Sequence, residues 1–115
     1  MATLKMYGIP NCDTVKKART WIEKKKLAYE FHDYKKLGVD EKKLKGWCKE
    51  FGYEQVLNQK GTTWRKLDEK IRAGMTEAKA LKLMQEQPSV IKRPIVEQGE
   101  TVLLGFNEAL YESLF

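Results

Sequence analysis

The stretch LKMYGIPNCDTVKKARTWIEKKKLAYEFHD, residues 4–33, decides the fold. Leu4 to Tyr7 alternates in polarity and runs into Gly8, the pattern of a short strand ending in a loop, Gly8-Ile-Pro-Asn11. From Cys12 to about Lys26 the apolar residues Val15, Ala18, Trp21 and Ile22 keep helical spacing while lysines take the opposite face. Tyr29 to Asp33 alternates again, with Tyr29 and Phe31 facing one way. Strand, helix and strand within about thirty residues make a βαβ unit, whose strands are expected parallel with a right-handed crossover.

The chain then changes character. Asp40 is placed to cap a helix, with Val39 and Leu44 as its hydrophobic staple and Leu44, Trp47, Cys48 and Phe51 as its apolar stripe; the helix is predicted to stop near Gly52. Asn58 to Thr63 reads as a loop. Trp64, Leu67 and Ile71 then mark one face of a single helix closing at Gly74. Thr76 caps another helix that reaches Gln87, ended by Pro88, which pushes its predecessor out of the α region. Residues 38–87 are thus predicted to be an all-helical insertion.

Beyond Arg93-Pro94, Ile95-Val96 and Thr101 to Leu104 form antiparallel strands about a tight turn centred on Gln98-Gly99. Asn107 caps a final helix, with Phe106 and Tyr111 in staple positions. The expected fold is α/β: a mixed four-stranded sheet, built from a βαβ unit, a hairpin and a C-terminal helix, and interrupted by the helical insertion. With 115 residues the chain is expected to form one domain over 1–115, burying about two-thirds of its unfolded surface.

Composition narrows the function classes. Apolar residues make up 42% and charged residues 33%, so a core can form and disorder is excluded. No apolar run approaches the roughly 20 residues of a membrane span, and no signal peptide is read at the start, so a cytoplasmic protein without membrane association is expected. The formal charge of +6 resides mainly in lysines scattered over solvent faces, without interleaved aromatics for base stacking; specific nucleic-acid binding is not expected. One histidine and two cysteines, far apart in sequence, do not supply a tetrahedral metal site. His32 reads as a strand surface residue.

Cys12 is the chief candidate for chemistry. A helix start offers unpaired N–H groups and the positive end of the macrodipole, which favour a thiolate. Lys16 and Lys17 add positive potential, and Asn11, Asp13 and Thr14 can hydrogen-bond there. Val15 stands three residues after Cys12, so no Cys-x-x-Cys pair exists and a redox cycle needs a partner's thiol. Cys48 belongs to an apolar stripe and reads as packing. Arg65 and Arg93 stand apart from the lysine background, since a planar guanidinium grips carboxylates and oxyanions in two-pronged fashion.

Taken together, Tyr7 to Thr14, Asn58-x-x-Gly-Thr-Thr-Trp-Arg65 and Ile91-Lys-Arg-Pro94, closed by Gly105-Phe106, resemble the arsenate reductase (ArsC) family, in particular its YffB-like branch of small bacterial proteins. The resemblance covers essentially the whole chain. It implies a thioredoxin-like fold, a cis peptide at Pro94 beside the reactive cysteine, Cys12 as nucleophile, and Arg65 and Arg93 as anion-binding groups. With the missing second thiol and the two arginines, it points to a glutathione-dependent thiol reductase with glutathione as co-substrate and glutaredoxin as an alternative partner; a monomer without metal is expected. Asn11, Thr14, Arg65, Arg93 and Pro94 would line the glutathione site. Arsenate reductases of the family carry a third arginine where this chain has Gly105-Phe106, a place better suited to an organic group than to arsenate. Arsenate reduction is one alternative; a regulator like Spx, which binds RNA polymerase, is another, although Val15 occupies the second position of the Spx Cys-x-x-Cys.

Overall fold

Residues 3–115 are described by a computed structural model, in which the chain forms two units. One takes the chain as far as Asp33 and resumes at Arg93; the other spans Tyr34–Lys92.

The first unit carries the sheet. Strand β1 (Leu4–Gly8) lies between β2 (Tyr29–Asp33), which it pairs in parallel, and β3 (Ile95–Gln98), which it pairs antiparallel; β4 (Thr101–Leu104) completes the order β2-β1-β3-β4. Helix α1 (Asp13–Lys24) makes the parallel crossover. This is the mixed, thioredoxin-like sheet anticipated from the sequence. As the central strand, β1 is buried at every position but Lys5. Leu4 and Met6, Val96 of β3 and the α1 stripe of Val15, Ala18, Trp21 and Ile22 form one core with Tyr111 of the C-terminal helix (Glu108–Leu114). The Tyr111 ring meets Trp21, Phe106 and Phe115 edge-on at 5.3, 4.9 and 5.4 Å. Its hydroxyl donates to the Gly105 carbonyl at 2.9 Å. The expected cap and staple are both present: Asn107 accepts from the Leu110 N–H at 3.1 Å while Phe106 packs on Tyr111.

Three readings in this unit need correction. Helix α1 ends at Lys24, short of Lys26, because Lys26 takes the left-handed φ of 57°. There the Lys26 N–H donates to Glu23 O and the Leu27 N–H to Ile22 O, a Schellman closure normally given to glycine. The hairpin turn centres on Gly99-Glu100 instead of Gln98-Gly99, since Gln98 pairs with Thr101 and Gly99, at φ 61°, supplies the positive angle at the first central position. His32 is half-buried, with its ring 5.0 Å from that of Tyr7, so it is not a plain surface residue.

The second unit is helical: α2 (Tyr34–Leu37), α3 (Glu41–Phe51), α4 (Tyr53–Val56), α5 (Thr62–Arg65), α6 (Glu69–Ala73), α7 (Glu77–Glu86) and a 3-10 turn at Pro88–Val90. Helix α3 packs on α4 and α7 and buries Leu44, Trp47 and Cys48. Thr76 caps α7 by accepting from the Lys79 N–H. The single helix expected from Trp64 to Gly74 is instead two short ones. The Asp68 side chain accepts from the Lys70 N–H at 2.9 Å and starts α6 afresh, a local bond that competes with helix continuation. Ile71 is consequently half exposed, at 52%.

Candidate functional site

The first unit's site forms where β1 gives way to α1. Cys12 is the N-cap residue of α1, in an extended conformation (φ −141°, ψ 126°), and its carbonyl accepts the first intrahelical bond from the Lys16 N–H at 2.9 Å. Its thiol closes no capping hydrogen bond of ordinary length, as suits so weak an acceptor. Deprotonation changes that balance. Partial burial works against a charged sulfur, but the Val15 N–H, the Arg93 side chain through both hydrogen bond and charge, and the Thr14 N–H outweigh it. The Cys12 pKa therefore lies below that of an ordinary thiol.

Arg93 reaches the thiol from the segment leading into β3. The Arg93–Pro94 peptide is cis, and the Pro94 carbonyl accepts from the Gly105 N–H at 2.7 Å, which anchors this segment to the end of β4. Close approach also requires Gly8. A Cβ on Gly8 would lie 2.9 Å from Val15 Cγ2 and 3.8 Å from Arg93 Cβ. The missing side chain lets the strand end meet the first turn of α1.

The structure thus brings together Cys12 and Arg93 among the residues singled out from the sequence, with Pro94 next to Arg93 in the chain. Asn11 and Thr14 flank the thiol in the chain with exposed side chains; Thr14 contributes its N–H to the sulfur. Arg65 belongs to the second unit, where it is the exposed last residue of α5. Phe106 is half-buried against Tyr111. Sequence reasoning missed Gly8, whose signal was only a glycine at a strand end, and the Val15 N–H, which no side-chain pattern reports.

Cys48 differs in kind. It is 3% exposed, and burial, reinforced by Glu77 and Glu54, pushes its pKa up to about 11. Such a thiol stays protonated and inert near neutrality. Among the described residues no His, Cys, Asp and Glu side chains are grouped so as to hold a metal ion, and no helix is long and apolar enough to cross a membrane.

Residues 7–114 match the ArsC family. A solved structure named as a YffB protein shares 53% identity, covers 96% of this chain and 97% of its own, and superposes with a TM-score of 0.92. An arsenate reductase (ArsC) related protein from Brucella melitensis shares 47% identity over 98% of this chain and 94% of its own, with a TM-score of 0.79. The global transcriptional regulator Spx of Streptococcus pneumoniae is 26% identical over 105 residues, covering 90% of this chain and 78% of that protein.

Proposed function

The chain belongs to the ArsC family, and from that premise we propose that it is a single-cysteine thiol reductase that uses glutathione. The observation that carries the proposal is the Cys12 sulfur at a helix start, its thiolate favoured by two backbone N–H groups and by Arg93. In the proposed cycle this thiolate attacks the glutathione sulfur of a mixed disulfide R–S–S–G. A Cys12–glutathione disulfide forms as the S–S bond of R–S–S–G breaks; the electron pair leaves on R–S⁻, which takes a proton from water. A second glutathione thiolate then attacks the bound glutathione sulfur, restoring the Cys12 thiolate and releasing oxidised glutathione. Glutaredoxin is an alternative reductant for that step. The absence of a second thiol at Val15 is what requires an external one.

Arg93 is proposed to hold a glutathione carboxylate as well as to favour the thiolate. The same anion-holding role is extended to Arg65 on its chemistry and on the resemblance. Asn11, Thr14 and Pro94 are proposed to contact the tripeptide. The test is mass spectrometry after incubation with oxidised glutathione. A glutathione adduct on Cys12, absent from Cys12→Ser, is expected; a wild-type protein that stays unmodified refutes the proposal. Arg93→Gln is expected to raise the Cys12 pKa and lower the rate of adduct formation at neutral pH.

Arsenate turnover in the same reductant system separates the alternative reduction, which the half-buried Phe106 ring in place of a guanidinium does not favour. The likeness to Spx supports a second reading, a regulator acting through RNA polymerase. Retention of RNA polymerase subunits by the immobilised protein, undiminished in Cys12→Ser, is its expected signature.

A further inference from the structure

A groove runs along α1 on the same unit as Cys12. Lys16, Lys17, Thr20, Trp21 and Lys24 line it from the helix, with Phe106 and Glu108 completing an open groove of about 370 Å³. Three lysines and two aromatic residues thus share the lining, with Glu108 as its one carboxylate. A neighbouring lysine shows what such a group takes when a carboxylate is within reach: Lys25 pairs with Glu112 at 2.8 Å, and the same Glu112 accepts from the Trp21 indole N–H at 3.1 Å. Among the described residues Lys16, Lys17 and Lys24 have no ion-pair partner.

Length decides what kind of occupant fits. Lys16 follows Cys12 by one helical turn, and Lys24 lies about 18 Å along the axis from Cys12 at ~1.5 Å per residue. An extended chain advances ~3.3 Å per residue, so glutathione spans only about 10 Å. A stretch of about five or six residues is needed to lead from the thiol past Trp21 to Lys24.

We propose that this groove docks a partner protein, specifically the extended segment flanking the cysteine whose mixed disulfide Cys12 attacks. That segment bears carboxylates for the lysines and one apolar side chain for the rings of Trp21 and Phe106. The proposal rests on the thiol-reductase reading and names its substrate class: a glutathionylated protein with an acidic flank. During attack, glutathione becomes bonded to Cys12 and the partner's sulfur leaves as a thiolate that takes a proton from water. The docked segment is thus the leaving group's own chain, released once its cysteine is reduced.

The test uses two glutathionylated peptides, each with a leucine and two further side chains four to six residues from the cysteine, acidic in one and lysine in the other. Hydroxyethyl-glutathione mixed disulfide serves as the small substrate. Wild-type protein is expected to favour the acidic peptide in kcat/KM by about tenfold at low salt, a preference that fades as salt screens it. Lys24→Glu, remote from the thiol, is expected to cut turnover of the acidic peptide about three- to tenfold, to raise that of the lysine peptide, and to leave the small substrate unchanged. Equal turnover of both peptides, or a preference untouched by Lys24→Glu, overturns the groove while small-substrate turnover upholds the reductase. If the small substrate is not reduced at all, the reductase reading fails and the substrate assignment falls with it. In that case binding of cysteine-to-serine peptides, read from the Trp21 indole N–H resonance, still reports on the groove: charge-selective binding supports docking, and indifference to charge overturns it.

Discussion

Replacing Gly8 with alanine adds one methyl group for which the fold has no space. The new carbon would stand 2.9 Å from Val15 Cγ2, a separation that must open by about 0.5 Å to reach ordinary contact. Val15 cannot turn aside easily, being fully buried and β-branched within a helix, where one rotamer dominates. Relief therefore requires β1 and the first turn of α1 to move apart, and overpacking of this type costs about 1–3 kcal/mol. The same movement displaces the Val15 N–H from the Cys12 sulfur, while Arg93 Cβ, 3.8 Å from the added carbon, is in ordinary contact and is not pushed. Gly8→Ala is thus expected both to lower stability by that amount and to raise the Cys12 pKa toward an ordinary thiol. Urea unfolding and ultraviolet titration of the thiolate measure the two effects on one sample. Gly46→Ala is the control: this α3 glycine has nothing within 4 Å of an added Cβ, so it is expected to gain about 0.5–1 kcal/mol. A Gly8→Ala protein with wild-type stability and an unchanged thiolate titration refutes the argument that this glycine couples strand, helix and site.

Lys26→Gly is expected to stabilise the protein by about 0.5–1 kcal/mol, since it relieves the left-handed penalty of an L-residue at φ 57° and only part of that gain returns as unfolded-chain entropy; thermal unfolding should rise by a few degrees. Asn107→Ala removes an observed cap to the Leu110 N–H and is expected to cost about 1 kcal/mol. Asp40→Ala, whose side chain makes no cap bond, should cost only a few tenths of a kcal/mol through the macrodipole; equal losses in denaturant would refute the distinction. Cys48 gives a pH signature. Its folded pKa is raised to about 11 from 9.0, so the unfolded chain loses this proton first, and stability fully present below about pH 9 is lost as pH rises toward 11. The loss reaches roughly 2 kcal/mol, and Cys48→Ala is expected to show a correspondingly shallower alkaline decline in denaturation midpoints.

Where side-chain periodicity and burial coincide, the sequence already specified the structure. The β1-α1-β2 unit followed from alternation at Leu4 to Tyr7 and from the spacing of Val15, Ala18 and Ile22, because a buried face must recur with the backbone's own period. The divergences lie where the backbone, not the side-chain pattern, decides. Lys26 terminates α1 through main-chain bonds to Glu23 and Ile22, and nothing about a lysine announces a left-handed residue. Trp64, Leu67 and Ile71 keep helical spacing, yet Asp68 offers the Lys70 N–H a nearer acceptor and splits the run. Tyr34–Leu37 and Tyr53–Val56 are too short for any period to register.

The candidate site divides along the same line. Cys12 was legible because a helix start can be located from the residues that follow it, and Arg93 because its motif resembles that of a family. Their contact was not, since it depends on where the fold puts the segment before β3, whose Pro94 carbonyl is held by the Gly105 N–H. Val15 makes the physical reason plain. Its side chain packs into the core and is read from the sequence as nothing more, while its N–H is one of the groups, with Arg93 and the Thr14 N–H, that favour charge on the Cys12 sulfur. One residue therefore contributes both to the seating of α1 on the sheet and to the charge state of the thiol. A substitution that preserves the hydrophobic pattern but shifts α1 along β1 would keep the fold and change the chemistry.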